Sequence, residues 1–241
     1  MLTIDVTNFP DANFRKYLLE QGYGKNGVLT DADVEEITNI DVCGEGIHSL
    51  KGIEYFTALI ELSCDDNLLT ELDLSKNTEL AALWCTGNRL ISLNVSMCTA
   101  LTHLDCSANL LTALDVSKNT ALTTLACANN WLTILDVSKN VALEVLLVNI
   151  NKLMTLDLSK NTALTHLYCH SNRLTELDVS QNIALTILDC SHNPINGEVL
   201  DALICSLPEN ATSEQWYEDS ACTMEQVATI KAKGWMYMMP I

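Results

Sequence analysis

From Leu59 to Gly197 the apolar and polar positions recur every 21 residues. Six full copies start at Leu59, Leu80, Leu101, Leu122, Leu143 and Leu164, and a seventh starts at Leu185 and breaks off after Asn196-Gly197. With the first leucine of each copy as offset 0, the full copies carry leucine at offsets 0, 3, 10 and 13. Offset 5 is Cys64, Cys85, Cys106, Cys127, Val148, Cys169 and Cys190; offset 15 is Leu74, Val95, Val116, Val137, Leu158 and Val179. Offsets 3 and 5 lie two residues apart, so they share one face of a short strand, and offsets 13 and 15 do the same on the return path. One coil with two inward faces cannot bury them alone. Stacked coils can, because strand then pairs with strand around a continuous core.

One polar position is as regular as the leucines. Offset 8 is Asn67, Asn88, Asn109, Asn130, Asn151, Asn172 and Asn193. A tight coil that turns inward after its strand leaves backbone N–H and C=O groups without partners, and an inward amide offers two donors and an acceptor for them. A surface turn would explain an isolated asparagine. Seven at one register predict a hydrogen-bonded row along the stack.

The pattern LxxLxCxxNxLxxLDVSxN resembles a leucine-rich repeat over about 140 residues, and within that family the bacterial 21-residue subclass with a second short LDLS or LDVS segment. The resemblance implies an α/β leucine-rich-repeat solenoid, right-handed and curved. It implies a parallel β-sheet on the concave face, short extended segments on the convex side and helical caps at both ends.

The ends depart from the repeat. Residues 1–36 read as an N-terminal helical cap. Phe14, Tyr17 and Leu18 fall at helical spacing, and Thr30 or Asp31 can cap a second helix running toward Ile37. Helix, glycine-containing loop and helix resemble an EF-hand. With Gly27 at the sixth loop position, however, Gly22 and Gly24 occupy ligand positions one and three, and Asp33 replaces the long glutamate at twelve. The unit reads as a degenerate hand kept as a cap. Residues 37–197 form the solenoid, with an irregular first coil over 37–58. There Ile37, Ile40, Val42, Ile47, Leu50, Ile53 and Phe56 hold the inward register. That coil resembles those of internalin-like proteins. Residues 198–241 read as a C-terminal cap. It has one helix near Leu200, Leu203 and Ile204, a polar loop over 208–220, and a second helix from Met224 to Lys233 ended by Gly234. The stretch QVATIKAKGW resembles leucine-rich-repeat proteins of Bacteroidetes-type bacteria, which implies an extracellular or cell-surface location. No export signal is visible at Met1.

Composition narrows the function classes. The chain has 241 residues, 48% hydrophobic and 5% aromatic, which suits a leucine-filled linear core. No run of 18 uncharged apolar residues is present, so membrane insertion is not expected. The net charge of −18 is spread as −6 over 1–58, −7 over 59–197 and −5 over 198–241. It offers no basic stripe for phosphates, which argues against nucleic acid. Six of ten cysteines occupy offset 5, where Val148 substitutes for a seventh. Valine replaces a small buried hydrophobe well and a metal ligand badly, and metal-type CxxC spacing is missing. Cys43, Cys98, Cys205 and Cys222 lie outside that column, and Cys205 and Cys222 could pair. No cofactor is implied.

The outward strand positions carry the candidate chemistry. Trp84, Asp105, Leu147 and Tyr168 share offset 4, His103 and His166 share offset 2, and His170 sits at offset 6. His166 and His170 are about 13 Å apart if both lie on one strand, and His103 and His166 about 14 Å apart across three strands. Neither pair can share a metal, and no nucleophile or oxyanion site accompanies His103 and Asp105. The reading is a non-catalytic, monomeric module that binds a protein or peptide on its concave face. A glycan-binding module and a purely structural spacer of a larger cell-surface protein are the alternatives. The edge beside the asparagine row, offset 9, carries Arg89, Trp131, Lys152 and Arg173.

Overall fold

The structure is a computed structural model that describes residues 1–209, 214–217 and 222–238. Its centre is a ten-stranded, wholly parallel sheet with the strands side by side in chain order. The chain begins with β1 (Leu2–Thr3), α1 (Ala12–Glu20), β2 (Val28–Leu29) and α2 (Asp31–Glu36). Each coil then contributes one three-residue strand: β3 (Asn39–Asp41), β4 (Glu61–Ser63), β5 (Ala82–Trp84), β6 (His103–Asp105), β7 (Thr124–Ala126), β8 (Val145–Leu147), β9 (His166–Tyr168) and β10 (Ile187–Asp189). Register is strict: Leu62, Leu83, Leu104, Leu125, Leu146, Leu167 and Leu188 stand opposite one another from β4 to β10. A one-residue slip would turn every one of these leucines outward, which fixes the pairing.

The inward offsets fill a single core that runs the length of the stack. The thiols at offset 5 are fully buried, with Val148 taking the same place in the fifth regular coil. The asparagines at offset 8 are stitched on both sides. Asn109 Oδ1 accepts from Leu90 N of the previous coil at 3.0 Å, and its Nδ2 donates to Cys85 O, Cys106 O and Ser107 O at 2.9–3.1 Å. The same set recurs at Asn88, Asn130, Asn151, Asn172 and Asn193.

A second asparagine column, at offset 18 in LDVSKN, was not given a role by the sequence reading. Asn77, Asn119, Asn140, Asn161 and Asn182 are fully buried on the convex side. Asn140 Nδ2 donates to Val116 O at 3.1 Å and to Asn119 O at 2.8 Å in the coil before. Across this column each Oδ1 is buried without a hydrogen bond. Cys98 stands in the second regular coil and reaches Leu74 O only through its sulfur, at 3.8 Å. The return path itself is turn rather than strand. Among the described residues it forms one isolated bridge, between Asp73 and Asn94.

At the N-terminal end, Phe9 packs edge-on against Phe14 and Tyr55 over the open face of the first coil. Gly52, at φ +106°, lies so close beneath that a Cβ would collide with the Phe9 ring. The Asp11 carboxylate joins cap to coil. It accepts from Asn13 N and Phe14 N at the start of α1, and from His48 N and Ser49 N of the first coil. Although burial works against its charge, those four amides hold the carboxyl below its usual range.

The C-terminal end corrects one expectation. The polar stretch 208–220 predicts a loop, yet within it β11 (Glu214–Tyr217) pairs in parallel with β10, and β12 (Trp235–Met238) pairs with β11; residues 210–213 and 218–220 lie outside the described residues. The crossovers are α3 (Gly197–Ser206), which buries Leu200, Leu203 and Ile204, and α4 (Met224–Ala232). The stack continues for two turns past the repeats, with helices replacing the turns of the return path. The polar flanks of Glu214–Tyr217 hid a strand whose pairing is supplied by β10, not by local pattern.

Candidate functional site

The outward residues of β4 to β10 form one continuous floor. Ser63, Trp84, Asp105, Ala126, Leu147, Tyr168 and Asp189 stand in register along one row, and Glu61, Ala82, His103, Thr124, Val145, His166 and Ile187 along the next. Trp84, Asp105, Leu147, His166 and Tyr168 are half-buried, and His103 is exposed. Trp84 and Tyr168 are four strands apart, about 19 Å at sheet spacing.

The imidazoles are oriented from behind. Thr102 Oγ1 donates to Ala81 O, so the contact between that hydroxyl and His103 Nδ1 at 2.9 Å must be donated by the ring. Thr165 does the same through Glu144 O and holds His166 Nδ1 at 2.8 Å. Both rings therefore keep Nε2 for the groove. His170 lies beyond the end of β9, and its Nδ1 is 3.1 Å from Ser171 Oγ. Asp105 is partly structural, because its Oδ1 accepts from Ser107 N at 2.9 Å in the turn that follows β6. Burial raises the neighbouring Asp65 carboxyl, although Thr86 N donates to it. Among the described residues no three His, Cys, Asp or Glu side chains converge as metal ligands.

In the N-terminal loop, Asp33 caps its own helix, its Oδ2 accepting from Thr30 N and Thr30 Oγ1 at 2.7 Å. Gly24 presses against Leu18 O with no room for any side chain.

The edge between floor and convex side is built by a backbone device that sequence reading missed. The residue before each row asparagine is left-handed: Asp66, Gly87, Ala108, Asn129, Ile150, Ser171 and His192 all have φ between +50° and +68°. Its amide stays in the ladder, as when Ile150 N donates to His170 O at 2.9 Å. Aspartate, glycine and asparagine suit that conformation, and a β-branched residue does not, so Ile150 is a strained exception. Beyond the turn, Trp131 is half exposed, with Lys152 Nζ 3.9 Å from the centre of its ring. On the opposite, convex side a cleft of about 870 Å³ opens between α3 and the last coils, lined by Asp157, Glu176, Asp178 and Glu198 among others.

Comparison with solved structures bears on this geometry. The functional domain of InlJ from Listeria monocytogenes, described as including a cysteine ladder, is 29% identical over 99% of this chain, with a TM-score of 0.55. The fold is a leucine-rich-repeat solenoid. An internalin C2 from the same organism superimposes over 99% of this chain and 97% of its own with a TM-score of 0.76 at 17% identity, a likeness of fold alone. A leucine-rich-repeat protein of Leptospira interrogans matches 86% of this chain and 58% of its own, at 20% identity and a TM-score of 0.53. The chain spans 61% of the InlJ domain. No family model and no curated protein matches it. In this leucine-rich-repeat stack the buried thiols at offset 5 form a column along the core, with Val148 in the fifth regular coil. No helix among the described residues is long and apolar enough to cross a membrane.

Proposed function

We propose that this solenoid is a non-catalytic recognition module that binds a protein or extended peptide on its concave floor. The observation that carries the reading is the pair of adjacent rows between Trp84 and Tyr168: aromatic ends, apolar Leu147 and Val145 between them, and hydrogen-bonding imidazoles at His103 and His166. His170 extends the contact past β9. The floor is long and shallow on a rigid sheet, which suits a macromolecular chain better than a small molecule enclosed on all sides. Catalysis finds no support, since the imidazoles are separated and the threonine hydroxyl beside each donates its proton to a backbone carbonyl and not to the ring. The N-terminal loop is a cap and not a calcium site, because Asp33 and Gly24 are committed to folding contacts. The likeness to internalins and the QVATIKAKGW segment support display outside the cell, in a Bacteroidetes-type setting.

Selection of displayed peptides against the intact solenoid tests the proposal. Trp84→Ala combined with Tyr168→Ala should weaken the selected binders by about tenfold or more, with little change in melting temperature. Binders indifferent to that pair, or retention of glycans and not peptides, would refute the concave reading.

A further inference from the structure

The seven cations of the regular coils fall into two sets. Lys76, Lys118, Lys139 and Lys160 lie on the convex side three residues after Asp73, Asp115, Asp136 and Asp157, whose carboxyls are held low first by the amide of the serine two residues on and to a lesser degree by the lysine. Each of them shares its turn with that aspartate. Arg89, Lys152 and Arg173 lie at offset 9 on the edge, a column that reads Leu68, Arg89, Leu110, Trp131, Lys152, Arg173 and Pro194 and contains no acid. Among the described residues none of the seven cations reaches a carboxylate within 4.0 Å, and the three on the edge lack even an acid in their own column, although acids outnumber bases 31 to 13 in this chain.

Apolar side chains stand between them. Leu110 is 44% exposed, Trp131 50% and Ile150 47%, and Met154 and Ile134 stand out beside them. Exposed apolar surface that clusters, rimmed by charge of one sign, marks a contact surface more often than scattered single residues do. Ile150 is a second, independent sign. It is the β-branched member of the left-handed row, and strain kept where glycine or asparagine would relieve it tends to lie at binding sites.

We infer that this edge is a second docking surface, for an extended peptide segment that carries two carboxylates flanking an apolar side chain. The charge of the column dictates the carboxylates. Its spacing sets their separation. Arg89, Trp131 and Arg173 belong to the second, fourth and sixth regular coils, so Trp131 stands about 10 Å from each arginine position at sheet spacing. A polyproline II chain covers that distance in about three residues, at about 3.1 Å per residue, and its threefold turn sets residues three apart on one face. Glutamates three residues before and three after a leucine would therefore meet Arg89 and Arg173 while the leucine enters beside Trp131 and Ile150. Lys152, held over the indole, would add its charge near the centre.

The probe is a fluorescein-labelled dodecapeptide with glutamate at positions 3 and 9, leucine at 6 and neutral polar residues elsewhere, followed by anisotropy. The proposal expects saturable binding that weakens by about tenfold in Trp131→Ala. It expects a comparable loss in Arg89→Glu with Arg173→Glu, and with added salt. Lys118→Glu with Lys160→Glu changes the net charge equally on the wrong face and should leave the affinity unchanged. All four positions are on the surface, and unaltered melting curves would show that the variants fold. Four results would overturn it: no binding, equal binding of the peptide with serine at position 6, equal loss in the convex control pair, or preferential binding of phosphatidylserine vesicles.

Discussion

The two asparagine columns use one side chain in two turns and complete it differently. On the concave side, Asn130 closes a full circuit: Oδ1 accepts from Leu111 N, and Nδ2 donates to Cys106 O, Cys127 O and Ala128 O. On the convex side, Asn140 uses its NH₂ on two carbonyls, while its Oδ1 is buried and unbonded. The difference lies in the backbone. The left-handed residue before the concave asparagine carries the chain around so that an amide of the previous coil meets the side-chain oxygen, whereas the convex turn meets Asn140 with two carbonyls. A repeat protein keeps a buried polar side chain when it stitches neighbouring coils, and it tolerates an unsatisfied acceptor when two donors are well placed.

The largest effect should follow from Asn130→Ala, which orphans one amide and removes three donated bonds, at a cost of about 4 kcal/mol. Asn140→Ala removes two donated bonds and also the buried, unpaired oxygen, so it should cost about 2 kcal/mol. Chemical unfolding of the two variants measures the gap, and equal losses would break the comparison.

Alkaline pH acts chiefly on the concave side, because the inward column there holds six thiols, while the convex side holds Cys98, whose thiol burial raises to about 11. Burial raises the Cys85 and Cys106 thiols well above their ordinary value of 9.0 and pushes Cys127 up to about 12. Above pH 9 the unfolded chain loses protons that the folded chain keeps, so folding stability falls as pH rises from 9 toward 12. Each such thiol should contribute a loss of about 1.4 kcal/mol by one pH unit above 9. Cys85→Val with Cys106→Val should flatten that limb of the stability curve, and an unchanged slope would place the ionisation elsewhere.

The smallest effect sharpens the comparison by repairing the convex column. Cys98 interrupts it, and Cys98→Asn offers two donors toward Leu74 O and Asn77 O of the previous coil. With one acceptor left unpaired, the gain should be about 1 kcal/mol, read as a higher melting temperature.

Much of this was legible because a 21-residue period repeats each constraint. Leucine at offset 3 and cysteine at offset 5 reveal strand and facing, and seven asparagines at offset 8 reveal that the turn needs an amide. The asparagine at offset 18 was equally regular apart from Cys98, but its neighbours Asp, Ser and Lys are what an exposed turn carries, and they masked its burial. Glu214–Tyr217 escaped for the opposite reason, since a strand seen once has no period to expose it.

By itself the sequence determined the repeat, the core positions and the parallel stack, because these follow from side-chain period and from the need of each coil for a neighbour. It also placed Trp84, His103, Asp105, Leu147, His166 and Tyr168 on one face. Tertiary structure alone decided that Asp105 is partly consumed by Ser107, that the threonines aim the imidazoles, and that Ile150 is held left-handed beside Trp131. Those outcomes depend on where one coil's backbone groups fall against the next, and that geometry arises only when the coils are stacked.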